Sequence, residues 1–268
     1  MSGYHVVVCG SVVPDPLHPL EPVTGPNGPE LKNEMILPAV FDPWAAHALY
    51  EAAHLVQSVP GSRLWLVSIG PRAKLQQVMM TIGQKVVLQL VALDGPAGGF
   101  VDAAATAEAL ADAIAAIDGL DRARLVLCGG WASASRGAGA VLQMVGEHLG
   151  IVDQFQGVDE LAVQPDGALR VVERADGGLN QVSLCAGPPV LLGWATGNRP
   201  EPPNNPQIGM QNMRGVMPAL QKARPAQLGM DGLRYCCAQA PRRRRETRIV
   251  KDMPVDEIAR EIVAWIRG

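Results

Sequence analysis

Leu125-Val126-Leu127-Cys128-Gly129-Gly130-Trp131-Ala132-Ser133-Ala134-Ser135-Arg136-Gly137-Ala138-Gly139 reads as an apolar strand that passes, through a turn of glycines and other small residues, into a helix. Its first four residues alternate with nothing polar, the pattern of a strand covered on both faces. The helix that follows spans Ala138–Leu149 and stops at Gly150. The same unit recurs upstream. Tyr4–Val8 is a β-branched run ending at Cys9-Gly10 and broken by Val13-Pro14-Asp15-Pro16. Leu64–Ile69 closes at Gly70-Pro71, and Val86–Leu93 is a third strand. Between them fall helices: Trp44–Val56, with Asp42 as N-cap and Pro43 at the first helical position; 72–82, ended by Gly83; and the Ala-rich Asp102–Ile117. Strands alternating with helices predict an α/β fold, a parallel sheet covered on both faces.

In such sheets, ligands sit outside the carboxyl ends of the strands. The turns after the first, second and fourth strands all lie on that edge, so Cys9–Ser11, Ser68–Pro71 and Gly129–Gly139 are predicted to line one crevice. The small residues of the last turn let backbone N–H groups approach an anion, and the helix N-terminus adds a favourable dipole. Ser133, Ser135 and Arg136 supply further donors, a set that suits a nucleotide phosphate. Turns of this kind also join strands to helices with no ligand present. No G-x-S-x-G, H-E-x-x-H or P-loop pattern accompanies it, and no His base stands near the serines by motif, so no catalytic residue is assigned.

Composition narrows the function further. Of 268 residues, 48% are hydrophobic and 18% charged, enough to bury a core. Only 4% are aromatic, so aliphatic side chains and Ala must build that core, and base-stacking platforms for single strands are not expected. A net charge of −3 argues against a broad nucleic-acid or membrane footprint. Five Cys without C-x-x-C spacing read as reduced thiols rather than a disulfide framework or a zinc site, and five scattered His give no metal set. No run is long and apolar enough for a membrane helix, and no leader pattern opens the chain, so a cytoplasmic protein is expected. Arg242–Arg245 reads as a solvated or docking face.

After about residue 150 the pattern changes. Leu161–Val163 and Leu169–Glu173, split by Pro165-Asp166-Gly167, read as a hairpin, followed by strand-like Gln181–Cys185 and Val190–Gly193. Asn198 to Gly229 is rich in Pro and Gly with no clear apolar period and reads as an irregular arm laid over a partner. Val255–Ile266 has Ile258, Ile262, Trp265 and Ile266 at helical spacing and reads as an amphipathic helix. The expected division is an α/β nucleotide-binding domain over 1–192, with a hairpin insertion near 158–185, and an extended arm with a terminal helix over 193–268.

Several segments, in order along nearly the whole chain, resemble the β subunit of the electron transfer flavoproteins. Cys9-Gly10-Ser11-Val12-Val13-Pro14-Asp15 resembles that family's C-V-K-Q-V-P-D, and Val67-Ser68-Ile69-Gly70-Pro71 its V-S-M-G-P. Asp42-Pro43-Trp44 with Ala48 to Leu55 resembles its N-P-F-D helix start, and Asp176-Gly177-Gly178-Leu179 matches its D-G-G-L turn. Asn198-Arg199-Pro200 and Asn205-Pro206-Gln207-Ile208 resemble its docking loop, N-E-P-R…L-P-N-I.

The resemblance implies an adenine nucleotide α-hydrolase-like domain whose arm embraces an FAD-carrying α subunit. It implies AMP, or in bifurcating members a second FAD, in the crevice, and electron transfer from a flavoprotein dehydrogenase to the quinone pool. A bifurcating subunit with its own FAD and NADH site, or a non-redox nucleotide-binding module, are the alternatives. Carried over by position, Cys9, Ser11, Asp42, Pro43, Trp44, Ala45, Ile69, Gly130, Ser133, Ser135, Arg136, Gly137, Gly139, Ala140 and Val141 would surround the cofactor. Trp44 falls where a family Phe approaches the flavin, and Asn205, Pro206 and Ile208 fall in the loop that docks the dehydrogenase. Ser11 replaces a characteristic Lys, Asn205 replaces the anchor Leu, and the phosphate loop lacks the family's Asp residues. The nucleotide is therefore expected to be held differently, with Arg136 as phosphate partner, or to be absent, and the dehydrogenase to be an unusual one.

Overall fold

The computed structural model describes residues 3–26, 28–96, 100–132, 139–226, 228, 234–238 and 249–267. It divides into two compact units, Met1–Ala238 and Gln239–Gly268. The first is built around β1 (His5–Pro14), which pairs in parallel with β5 (Arg63–Gly70) on one side and β7 (Leu125–Gly130) on the other. Beyond β5 lie β6 (Gln89–Asp94) and β12 (Arg224–Pro225); beyond β7 lies β11 (Val190–Trp194), all parallel. β8 (Asp153–Val163) runs parallel to β11, then pairs antiparallel with β9 (Leu169–Arg174), which pairs with β10 (Asn180–Cys185). The sheet order is β10-β9-β8-β11-β7-β1-β5-β6-β12. This is the mostly parallel α/β sheet expected from the sequence.

Alternate residues of each strand feed opposite cores, as the two-residue period requires. Val6, Val8, Val12, Leu66, Val126 and Cys128 meet α1 (Pro43–Ser58), α2 (Arg72–Ile82) and α5 (Pro206–Gln221). Val7, Cys9, Val67, Ile69 and Leu127 meet α3 (Ala103–Ala115) and α4 (Ala140–His148). Asp42 caps α1, its Oδ1 accepting from the Trp44 N–H at 3.0 Å, and Pro43 occupies the first turn. Asp102 caps α3 in the same way. Alanines at 45, 48, 52 and 53 let α1 lie close on the sheet. A Cβ on Gly10 would come within 2.6 Å of that of Ala45.

Three stretches differ from the sequence reading. β1 does not stop at Cys9-Gly10: Val12 and Val13 are fully buried, and β4 (Ala39–Phe41) gives them an antiparallel partner past the end of β5. The Pro-rich stretch before it contains a hairpin of β2 (Pro22–Gly25) and β3 (Gly28–Leu31). Residues 198–229 are not structureless, because α5 occupies their centre. Its start is specified by Asn205 as N-cap, whose Oδ1 accepts from the Gln207 N–H at 2.9 Å, and by Pro206 in the first turn. The periodicity is masked by Gly209, Gly215 and Pro218, and only Asn212, Val216 and Leu220 are buried. β11 runs through residue 193, and the first unit continues to Ala238.

Asn212 fastens α5 to the sheet. Its Nδ2 donates to the carbonyls of Gly83 at 2.7 Å and Val86 at 2.6 Å, and its Oδ1 accepts from the Leu88 N–H at 3.3 Å. The turn before α5 is held by Glu51, a buried carboxylate of α1 that accepts the Asn198 and Arg199 N–H groups at 2.5 and 2.8 Å. In the second unit, α6 (Val255–Arg267) forms as expected from its spacing, and none of its side chains is buried.

Candidate functional site

The chain crosses from one half of the parallel sheet to the other at β1 and β7, which opens the carboxyl ends of neighbouring strands to a ligand. At that edge Ser11 stands in register with Ile69, and Cys9 with Val67. The Asp42 N–H donates to the Ser11 carbonyl at 2.9 Å, which ties the N-terminus of α1 to the end of β1. Pro43, Trp44 and Ala45 follow in the first turn of α1. Gly130, the last residue of β7, lies directly under Trp44: a Cβ there would overlap the Cβ of Trp44. The Trp44 ring in turn meets Trp131 edge-on, centroids 5.9 Å apart at 82°. The Trp131 N–H donates to the Trp194 carbonyl at 3.0 Å, so the pair stands across the ends of β7 and β11.

Gly139 precedes α4 with φ +83, and a Cβ there would overlap the Trp131 carbonyl oxygen. The two ends of the glycine-rich turn therefore meet, which only a residue without a side chain permits. Ala140 and Val141 begin α4 and are half-buried. Ser133, Ser135, Arg136 and Gly137 lie outside the described residues. The structure thus gathers Cys9, Ser11, Asp42 to Ala45, Ile69, Gly130, Gly139, Ala140 and Val141 along one edge.

Asn205, Pro206 and Ile208 are not part of this edge. They open α5, which packs against α2 and β6, and both β5 and β1 stand between β6 and β7. They form the first turn of a helix rather than a loop, and the Asn205 side chain is engaged as its cap.

Two glutamines that the sequence does not single out lie near this edge. Gln156 is opposite Gly193 in the β8–β11 pair, and a Cβ on Gly193 would overlap its amide. Both polar atoms of that amide, and Oε1 of Gln143 on α4, are buried without a hydrogen-bond partner among the described residues. A buried amide with a spare donor and a spare acceptor fits the polar edge of a nucleotide base, since leaving both unmet is costly. No motif in the sequence marks Gln156: Asp153-Gln154-Phe155-Gln156 in front of Gly157 has no strand period. Gly157, at φ +67, sits in the irregularity where β8 changes partners.

The two buried thiols at this edge are not poised to react. Burial pushes the Cys9 and Cys128 thiols up to about 12, far from the thiolate that reaction requires. Among the described residues, no three His, Cys, Asp or Glu side chains gather as a metal site. No helix there is long and apolar enough to cross a membrane. What the edge offers is close backbone, two facing tryptophans and unspent amides.

A family model described as the electron transfer flavoprotein domain matches residues 34–224. The chain belongs to the electron transfer flavoprotein family. The match takes in the edge from Asp42 onward, Gly130, Gly139 and α5, and leaves β1 outside it. Proteins of this family generally bind FAD and work with partner subunits and dehydrogenases. A search of curated proteins returns no match.

Proposed function

We propose that this electron transfer flavoprotein is a β-type subunit. It pairs with an FAD-carrying α subunit and passes electrons from a flavoprotein dehydrogenase to the respiratory quinone pool. The observation that supports this reading best is the Trp44–Trp131 pair above Gly130, an aromatic surface at the position where the resemblance brings the β subunit to the flavin. FAD, when bound, supplies the one- and two-electron chemistry. The chain's own task is placement. Asp42 fixes the first turn of α1, and Gly130 lets Trp44 settle against β7. The edge-on contact with Trp131 keeps that ring from rotating away. The thiols nearby stay protonated and inert.

In this reading the crevice beside Gly193 holds AMP or a second FAD. Gln156 and Gln143 meet the base, and the turn ending at Gly139, with Arg136 in its sequence, meets the phosphate. Asn205, Pro206 and Ile208 belong to the surface that receives the dehydrogenase, in a protein of the cytoplasm.

The test is the ligand content of the purified complex after denaturation, by absorbance and mass. One FAD per heterodimer, with AMP, is the expected result. Two FAD would assign the crevice to a second flavin, and a flavin-saturated monomer would overturn the β-type assignment.

A further inference from the structure

β6 is paired fully on one side and only in part on the other. β5 accompanies it from Gln89 to Asp94, whereas β12 opposes only Leu93 and Asp94. The end of the strand shows which groups are left over. The Gly95 N–H donates to Gly70 on the β5 side, and the Asp94 carbonyl accepts from Ala226 on the other. Peptide groups along a strand alternate sides, so Leu90 and Ala92, in phase with Asp94, turn theirs away from β5. Leu88 shares that phase, and Asn212 already meets its N–H at 3.3 Å. Between these points the N–H and C=O of Leu90 and the N–H of Ala92 face no strand among the described residues. Both residues are buried, at 8% and 5% exposure, where an unmet peptide group is costly.

Leu90 and Ala92 line a groove of about 670 Å³ between α3 and the end of α5. α3 lines it with Glu108 and Asp112, one turn apart on the same face. The chain leaving α5 lines it with Lys222 and Arg224. All four are exposed, and no ion pair engages them among the described residues. Gln89-Leu90-Val91-Ala92-Leu93 carries neither a charge nor a Pro, the devices that guard a bare edge against pairing.

We propose that the open edge of β6 receives the free C-terminal tail of a partner protein, bound as a short parallel strand. Space fixes where that strand ends. β12 holds the next place along β6, so the added strand stops there, after about four residues or ~13 Å. Charge fixes its direction. A parallel strand brings its carboxyl terminus to Lys222 and Arg224, whereas an antiparallel one would bring its amino terminus against two cations. The tail's carboxylate accepts from those two side chains, and a Lys or Arg on the tail meets Glu108 and Asp112. Its backbone supplies the partners that Leu90 and Ala92 lack. This contact needs neither the flavin nor the β-type pairing proposed above.

The experiment titrates the full chain with acetyl-Ala-Val-Lys-Val-Val carrying a free carboxylate, and with the same peptide as its C-terminal amide. Calorimetry reads the affinities, and amide hydrogen exchange followed by NMR reads the contact. The carboxylate should bind about tenfold more tightly than the amide at low salt, with the difference shrinking as salt is added. The Leu90 and Ala92 N–H groups should exchange about tenfold more slowly once the peptide is bound. Lys222→Ala combined with Arg224→Ala should erase the preference for the carboxylate, and Glu108→Lys should weaken both peptides while keeping it. These sites are exposed, so an unchanged melting curve confirms that the fold is intact. Equal affinity for acid and amide, no binding at millimolar peptide, or unchanged exchange at Leu90 and Ala92 would overturn the proposal. So would slow exchange there in the free monomer, which would show the edge already covered. Sedimentation showing that Lys222→Glu splits a dimer of this chain would also overturn it, by assigning the edge to a second copy.

Discussion

Replacing Asn212 with Ala removes one side chain and strands three backbone groups. The Gly83 and Val86 carbonyls lose their donor and the Leu88 N–H its acceptor, all at a position only 5% exposed. An unmet buried polar group costs about 1–3 kcal/mol, and three would set a ceiling near 9. Gln211, Asn212 and Gly215 line a surface recess, so water reaches part of the gap and the sum falls well below the ceiling. We expect a loss of about 2–4 kcal/mol, read as a lower urea midpoint at unchanged slope and a melting temperature lower by roughly 4–16 °C. Asn212→Asp separates this from loss of volume. The carboxylate still accepts from Leu88 but faces two carbonyl oxygens where the amide donated. At neutral pH the Asp variant should therefore be less stable than the Ala variant, and acid should recover part of the difference by restoring a donor. An Asp variant as stable as the parent would refute the account, because it would mean that the amide is not donating to Gly83 and Val86.

Four further outcomes follow from the structure. Trp44→Ala should leave the far-ultraviolet spectrum and melting of the complex nearly intact and lower its retained FAD in equilibrium dialysis, whereas Trp44→Phe retains most of it; equal flavin content in all three would remove Trp44 from the site. Gly139→Ala places a side chain at φ +83 against the Trp131 carbonyl and should cost about 1–3 kcal/mol, while Gly119→Ala, at φ +72 in open space, isolates the cost of the backbone angle alone. Burial and then the charges of Arg124 and Arg63 hold the His5 pKa down, opposed by Asp121, and its Nδ1 accepts the Asp121 N–H at 2.8 Å. The unfolded state therefore takes up the proton first, so stability should be full above about pH 6.5 and fall as pH drops below it, a slope that His5→Gln flattens in urea melts. Of the five thiols, exposed Cys236 and Cys237 should react with a disulfide reagent in the native protein, and Cys9, Cys128 and Cys185 only after unfolding; rapid native reaction of Cys9 would contradict its burial.

The parallel core was legible because its signals are local and redundant. An aliphatic strand, a Gly or Pro stop and an Ala-rich helix recur until only one layer architecture accommodates them. α2 was readable almost to the residue, since its apolar positions Leu75, Val78, Met79 and Ile82 keep the helical period and Gly83 ends it. α5 was not, because its information is tertiary. A helix that buries only Asn212, Val216 and Leu220 shows no wide apolar stripe, and a buried Asn looks like a loop residue until its three partners are known. The end of β1 was misread for a related reason: Gly10 resembles a stop, but here it makes room for Ala45 and Phe41 while the strand continues to β4. At the candidate site, Trp44 and Gly130 are named by resemblance alone. Gln156 was not found, because its significance lies in what it fails to bond.

Those two kinds of legibility point to a division within the fold. The candidate site uses the ends of β1, β7 and β11, where glycine and the backbone dominate and strand register sets the geometry. α2 packs on β5 and β6 and α5 on β6, where the Asn212 amide holds it. A substitution on the exposed face of α5 therefore has no direct route to the candidate site, whereas loss of Asn212 loosens α5 without touching β7. If the chain carries electrons between a docked dehydrogenase and a flavin, the choice of partner and the hold on the cofactor vary separately. Met210→Glu should then change which protein docks while the FAD content of the complex stays constant. A fall in FAD content in that variant would show that the two surfaces are coupled through the sheet, against the separation that the strand order implies.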